Sequence, residues 1–481
     1  MNNPIDRIVT FFAPKSGLER QRYRLATKLL EEQERRFDAA ANGRRTSGWN
    51  SNTNSVNAEV GVALAQLRNR SRDLVRNNPY AKRAIKAIAN NTVGTGIRPN
   101  ALDATGRNEK RIKDAWKKWA ETTACDFDGK NNMYGLQKLA LRTVAESGEC
   151  IIRKRRANNL LVPFQLQLIE GDIIDTDMNS LGFTTDGSFI MHGVEFDKSG
   201  RRVAMWLFDQ HPGDQYVYRD YKSKRVPMEE LMHVYYVERP GQIRGIPFGT
   251  ASMLRMKDFD DYEDAQLIRQ KIAACFSVFV SQSQDGTEEG DLNERVEPGM
   301  VYKTAPGETV TFATPPAAEG YSDYSRKILQ GIAAGYDTTY EAMTGDLSNV
   351  NFSSGRMGWI EFQRNVEDWQ ENMLIPQLCN PTWQWFMQGL VISGQIAAPF
   401  EASWTPPRRE MIDPYKETQG QQLAVASGFK SWQETVRESG YNPEEVLAEI
   451  KAERERFKEL GITLDWGSQP QPAEPSSGNQ E

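Results

Sequence analysis

The residues of this 481-residue chain with the greatest chemical potential are its clustered carboxylates. Asp258, Asp260, Asp261, Glu263 and Asp264 lie close enough in sequence to suggest two divalent ions held for phosphodiester cleavage. On one helix, however, residues advance by about 100° each, so these side chains spread around most of the circumference. A solvated, repulsive face is the plainer reading. A second run, DTDMNSLGFTTD at 175–186, puts Asp175, Asp177 and Asn179 where a calcium loop has its first ligands. Ser180 replaces the glycine that such a loop needs, and Asp186 replaces its bidentate glutamate, so a turn accounts for it better. His192, His211 and His233 are too scattered to suggest a metal site. GxxxxGK[ST], GxSxG and HExxH are all missing, so no nucleotide cradle, acyl-transfer elbow or zinc helix is expected. The expectation is a protein with no catalytic residues, metal or cofactor.

The remaining polar cluster is TGDLSNVNFSSGR at 344–356, rich in turn-forming Gly, Asp, Asn and Ser. Two helical patterns must position it. Before it, Tyr324, Ile328, Ile332, Tyr336 and Tyr340 recur every four residues, predicting one helix over 321–343. After it, Trp359, Phe362, Val366, Trp369 and Met373 alternate steps of three and four, bending at Pro376 and resuming over 382–393. Pattern alone makes the cluster a connector first and a functional fingertip second.

The length allows roughly three domains. A hydrophobic fraction of 39% supports a sizeable core, while the mean hydropathy of −0.63 points to much polar surface. The longest apolar run, IAACFSVFV at 272–280, falls far short of the ~20 residues of a membrane helix. The start, MNNPIDRIVTFFAPK, lacks secretory-signal architecture, and Cys125, Cys150, Cys275 and Cys379 form no CxxC pair, so free thiols in a reducing setting are expected. The net charge of −6 hides an asymmetry: residues 1–124 hold 24 Lys and Arg against 12 Asp and Glu, or +12, leaving −18 on the remainder. Such a split suits nucleic acid or mutually attracting subunits.

Along the chain, 18–38 reads as a charged helix and 39–57 as a polar arm. Helices follow over 58–76, from Asn78-Pro79 to Gly94, and over 107–121. From Gly148 to about 239 the pattern turns to short strands. Pro247 opens a helix to Ala274, and a smaller β segment precedes Pro315. Helices over 414–427, 431–439 and 443–460 and a Pro/Ser-rich tail complete the reading.

Four blocks, in order, carry a resemblance. RNRSRDLVRNNPYAKRAIKAIANNTVGTGIRP at 68–99, LQLIEGDIID at 166–175, HVYYVERPGQIRGIPFG at 233–249 and AMTGDLSNVNFSSGRMGWIEFQR at 342–364 resemble the lambda-like portal proteins of tailed bacteriophages. The resemblance implies an α+β fold with a mixed α/β wing, a two-helix stem, a small α/β clip inserted between the stem helices, and a helical crown. On this chain it implies a basic arm at 1–57, a wing at 58–246, stem helices at 247–274 and 317–343, and the clip at 275–316. The tunnel loop would be 344–355, the wing helix and its connection 356–407, the crown 408–465, and a disordered tail 466–481.

It further implies a homo-oligomeric ring, usually a dodecamer, at one capsid vertex. Double-stranded DNA would pass through it during packaging and ejection, without sequence specificity. Implied partners are the terminase large subunit, head–tail connector proteins, and the major capsid and scaffolding proteins, with no membrane. The implied locations are the virion and, during assembly, the host cytoplasm. The expected DNA-channel residues are Asp346, Leu347, Ser348, Asn349, Val350 and Asn351, with Asp258, Asp261, Asp264, Arg326 and Lys327 lining the stem. Gly331, Ala334, Gly335, Arg83 and Lys86 are expected at subunit contacts. A metal-dependent nuclease using 258–264, or another capsid or scaffolding protein, stands as the alternative.

Overall fold

In the computed structural model the described residues are Tyr23, 53–180, 187–214, 222–274, 278–282, 308–312, 320–408, 411 and 413–462. The chain divides into two units, Met1–Ser55 and Val56–Glu481, and the helices and strands from Val56 onward belong to the second. The helix expected over 18–38, most of the clip, Cys275 and the tail lie outside the described residues, Tyr23 excepted.

Helices α1 (Val56–Asn77) and α2 (Pro79–Thr92) are separated by Asn78, whose side chain accepts from the backbone N–H groups of Tyr80 and Ala81. Proline at the first helical position makes this cap legible in the sequence. Strand β1 (Arg98–Ala101), α3 (Gly106–Trp119) and α4 (Met133–Ser147) follow. The β unit is two antiparallel sheets. One orders β2 (Glu149–Arg156), β3 (Phe164–Glu170) and β8 (Leu231–Tyr235) as β3-β2-β8. The other is a meander of β4 (Phe189–Met191), β5 (Val194–Phe196), β6 (Arg202–Leu207) and β7 (Lys224–Pro227).

Helix α5 (Met253–Ala274) begins after a tight helical turn at Phe248–Ser252, so it is shorter than the expected 247–274. Strands β9 (Val278–Gln282) and β10 (Glu308–Phe312) pair antiparallel before α6 (Tyr321–Ala334) and α7 (Tyr340–Thr344). Helix α8 (Phe352–Asp368) runs through a π-helical stretch, Trp369–Cys379, into α9 (Asn380–Ile392). Strand β11 (Ala402–Thr405) pairs with β1, a long-range partnership that no local pattern signalled. Helices α10 (Pro414–Ala426), α11 (Trp432–Glu438) and α12 (Pro443–Glu459) lie where the spacing put them.

One expectation needs correction. The helix predicted over 321–343 is two, because the chain turns at Gly335–Thr339, where Asp337 has φ +52° and Thr339 caps α7. The four-residue stripe survives this break because Ile332 and Tyr336 both point into the core. Around Pro376 the α-helix is interrupted as expected, by the run Trp369–Cys379, and α-helix resumes at Asn380, two residues before the expected 382. The missing N–H is absorbed by a π-helical run that keeps the helical path continuous.

The main core joins α2–α4, the β3-β2-β8 sheet, α6 and α8–α9. At its centre Trp116 meets Phe386 edge-on at 4.9 Å, and Trp119 packs on Phe164 at 5.0 Å. The Trp119 indole N–H donates to the Phe164 carbonyl at 3.0 Å, so the buried ring leaves no polar atom stranded. A second core, including Ile151, Ile174, Met205 and Leu207, lies between the two sheets.

Between these cores sits a buried ionic hub. The Glu149 carboxylate, fully buried, accepts from Arg68 Nη2 at 2.7 Å, from Arg244 Nε at 3.0 Å and from the Gly245 N–H at 3.2 Å. Burial alone would raise this carboxyl, but Arg244, His233 and Arg68 hold it well below the ordinary range. Burial also holds His233 below its usual value against the pull of Glu149, so its ring is neutral. The hydrogen bonds then fix the tautomer: Nε2–H donates to Glu149 at 2.9 Å, and Nδ1 accepts from Arg202 at 3.2 Å. Gly148 and Gly245 cross here so closely that a Cβ on Gly245 would lie 2.0 Å from the Gly148 carbonyl oxygen.

Removing the carboxylate's charge leaves the buried Arg244 guanidinium without its counter-charge, so Glu149→Gln should cost about 3–5 kcal/mol of unfolding free energy, measured by chemical denaturation at fixed protein concentration. The pH dependence has one sign. The unfolded chain protonates His233 below about 6.5 and Glu149 below about 4.3, while the folded chain resists both. The melting temperature should therefore fall from about pH 7.5 to about 5.5, and fall further below about 4.5. A rise over the first interval would rule out the neutral histidine.

Candidate functional site

The polar cluster after α7 is a short, self-bonded loop. Thr339 accepts from the Ala342 N–H at 3.2 Å to start α7, and Gly345, in the left-handed region at φ +77°, ends it. Asp346 then gathers the chain: Oδ2 accepts from the Tyr340 hydroxyl at 2.9 Å, and Oδ1 from the Ser348 N–H at 3.0 Å and its Oγ at 2.6 Å. The two Ser348 bonds, the Tyr340 hydroxyl and, more weakly, Arg326 hold the Asp346 carboxyl down at about 2. Asn351 closes the loop as the cap of α8, exchanging side-chain and backbone bonds with Ser354. Regular helix resumes at Phe352, so the non-helical part is shorter than the predicted 344–355.

The loop's polar atoms are thus mostly spent on itself. Of the residues expected to meet DNA, Asp346, Ser348 and Asn351 carry loop-shaping bonds, Leu347 is 66% exposed, and Asn349 is exposed. The Val350 N–H donates to the Leu347 carbonyl at 3.2 Å.

Two expected residues brace this loop from outside. Arg83 Nε donates to the Ala342 carbonyl at 3.1 Å and its guanidinium lies over Gly345, where a Cβ would sit 2.6 Å from Nη2. This cation at the C-terminus of α7 is an arrangement the helix dipole favours, and nothing in the local pattern around Arg83 announced it. Arg326 stacks on the Tyr340 ring at 5.3 Å. Lys86 and Lys327 are exposed.

Helices α5 and α6 meet through Tyr262, which stacks on Tyr321 at 6.0 Å and meets Tyr324 edge-on at 4.9 Å. The acidic cluster divides accordingly. Asp260 accepts from Asn78 Nδ2 at 2.6 Å and Glu263 from the Tyr321 hydroxyl at 3.3 Å, while burial raises both carboxyls. Asp258, Asp261 and Asp264 are exposed, with Lys257 bridging to Asp261 at 2.8 Å. Carboxylates pointing to different neighbours do not converge on an ion. Of the residues expected at subunit contacts, Gly331 and Gly335 already serve packing within the chain: a Cβ would sit 2.2 Å from Arg255 and 1.7 Å from Ser252 Oγ. Ala334 is exposed.

Among the described residues, the carboxylate–histidine group Glu170, Asp172 and His211 comes close enough to hold a metal. Arg72 already bridges both carboxylates, at 3.1 and 2.6 Å, and Arg68 reaches Asp172 at 3.3 Å, so its negative charge is neutralised by protein. In the calcium-like run, Asp175 accepts from Ser223 at 2.6 Å and Asn179 from the His192 N–H at 2.8 Å, which are turn contacts. Among the described residues no helix is long and apolar enough to cross a membrane.

Related phage proteins match along most of this chain. The probable portal protein of Halomonas phage phiHAP-1 is 26% identical over 90% of this chain and 89% of its own. Portal protein B of Escherichia phage lambda is 22% identical over 87% and 89%. Among solved structures, the neck of a native gene transfer agent particle, computed with C12 symmetry, aligns with a TM-score of 0.46 and 14% identity, covering 78% of this chain and 94% of that one. The family model described as "Phage portal protein, lambda family" matches residues 42–370, well over half of the sequence, and the chain belongs to that family.

Proposed function

We propose that this portal protein works as a closed ring, most simply a dodecamer, at one capsid vertex, conducting double-stranded DNA inward at packaging and outward at ejection. In this reading α5 and α6 form the stem around the bore, the loop at 345–351 meets the duplex, and β9–β10 belong to the clip. The clip would receive the terminase large subunit and later the head–tail connectors, while capsid and scaffolding proteins surround the ring. Assembly in the host cytoplasm would precede residence in the virion. The role is structural, with the work of translocation supplied by the separate motor.

The observation that carries this reading is the outward row Asp258, Asp261 and Asp264 on α5. A ring repeats it into a negative band, and repulsion within a Debye length of about 8 Å keeps a duplex centred and sliding. Lysines in the same places would add counterion-release terms that hold DNA still. The self-bonded loop supports the reading too, since a surface whose acceptors and donors are satisfied makes few lasting bonds to phosphate. It carries no base-reading side chains in a groove-matching array, so sequence should not matter.

Electron microscopy of the purified full chain should show rings with an open bore, and a solid particle or a lone monomer at high concentration would overturn the reading. Rings of Asp258→Asn/Asp261→Asn/Asp264→Asn should retain duplex DNA several-fold more tightly at low salt, with a steeper salt dependence, by filter binding. Equal retention would remove the acidic row from the bore. Asp346→Ala should loosen the loop and slow DNA packaging while leaving the melting temperature little changed, because it removes partly exposed loop bonds and no buried core side chain.

A further inference from the structure

The end of β2 carries four consecutive cations, Arg153, Lys154, Arg155 and Arg156, that the portal reading does not use. The strand is central in its sheet, so its side chains alternate: Arg153 and Arg155 extend the row begun by Ile151, and Lys154 and Arg156 lie on the opposite face. Among the described residues no carboxylate oxygen lies within 4 Å of any of the four, although ion pairs are frequent elsewhere in the fold, as at Arg72 and Arg225.

Arg155 is held in place by neutral groups. Its Nε donates to Gln167 at 2.7 Å, and its guanidinium lies 5.4 Å from the ring of Phe127, which is 48% exposed. Arg153 is half-buried and its Nε, a buried atom, has no hydrogen-bond partner among the described residues. Lys154 is stacked between aromatics, its Nζ 5.1 Å from both Phe164 and Trp385. Burial, and then the neighbouring cations, push Lys154 and Arg155 below their ordinary values. The acids that face them, Asp209 and Glu230, act only at longer range, and Asp209 is occupied by Lys224.

Partial burial of like charges without a counter-charge is unfavourable for a free surface and favourable for one that receives an anion. We propose that Arg153 and Arg155 form a docking site for an acidic segment of a partner protein, taking its carboxylates on their guanidinium forks beside Phe127. Two arginines on one face of an extended strand stand about 7 Å apart, the repeat of alternate side chains in an extended peptide. Each fork can hold one carboxylate in a bidentate pair. A duplex is the poorer fit. Strong DNA binding draws on many phosphate contacts, whereas this patch is two residues wide, and the chain beyond residue 124 carries −18 overall. The proposal does not rest on the bore or the ring.

Fluorescence anisotropy of the full-length protein with a labelled hexaglutamate peptide, and separately with a short DNA duplex, tests it at low salt. The peptide should bind, and Arg153→Gln/Arg155→Gln should weaken it by about tenfold or more. Arg153→Lys/Arg155→Lys keeps the charge and loses the fork, and should show a smaller loss. The exposed pair Lys117→Gln/Lys118→Gln, with the same change in net charge, should leave binding unchanged. Melting curves identify any variant that fails to fold, in which case the lysine pair decides. No peptide binding, equal loss in the Lys117/Lys118 control, an unaffected glutamine pair, or tighter duplex binding through the same arginines would each overturn the proposal.

Discussion

A carboxylate with no access to water has to be surrounded by donors, and Glu149 sets that condition for the whole fold. Its partners come from α1, from β8 and from the chain leading out of β8, so helix, sheet and loop are fixed at one point. Arg244, itself 1% exposed, reaches further, to the Gly171 carbonyl at 3.1 Å and the His192 carbonyl at 3.0 Å. It thereby ties the first sheet to the start of the second. Apolar side chains of similar volume could fill this space as stably. They would not specify which strand end meets which helix, and that specification is what the hub supplies.

The hub also explains what the recognisable sequence blocks are. Arg68 and Arg72 stand in the first block, Glu170, Gly171 and Asp172 in the second, and His233, Tyr235, Gln242, Arg244 and Gly245 in the third. All three converge on the hub and its rim. These three blocks are therefore largely a folding device, while the fourth, at 342–364, lies at the proposed DNA contact, which Arg83 of the first block braces.

The parts legible in the sequence were those governed by local rules. Asn78-Pro79 announced a capped helix, and the spacing of Trp359, Phe362 and Val366 announced a buried face. Asp258, Asp261 and Asp264 are exposed on α5, as a solvated acidic face requires. What escaped depended on partners distant in sequence: Glu149 looked like one more strand residue, and the β1–β11 pairing joins segments about 300 residues apart. Gly331 and Gly335 signalled close approach, but composition could not say to what, and the structure supplies Arg255 and Ser252 of the same chain. The loop showed the same limit. Its polar residues suggested binding, whereas Asp346 is turned inward by a tyrosine six positions earlier.

That inward turn bears on how a conduit can touch its cargo without holding it. A loop with free Asn and Ser side chains would adapt to each passing phosphate, and each adaptation would be a small trap. Here Asp346 and Asn351 fix the backbone, Arg83 and Arg326 brace it from α2 and α6, and Leu347 and Asn349 are left at the tip. A preformed tip has little conformational entropy to lose on contact and few unsatisfied polar groups to gain by it. In the proposed reading, its interaction with a sliding duplex would be nearly the same at every register, which is what smooth passage requires. On the same proposal the exposed carboxylates of α5 would act in the same sense at longer range, so the two features would favour motion through one shared property: neither would offer the DNA a preferred place to stop.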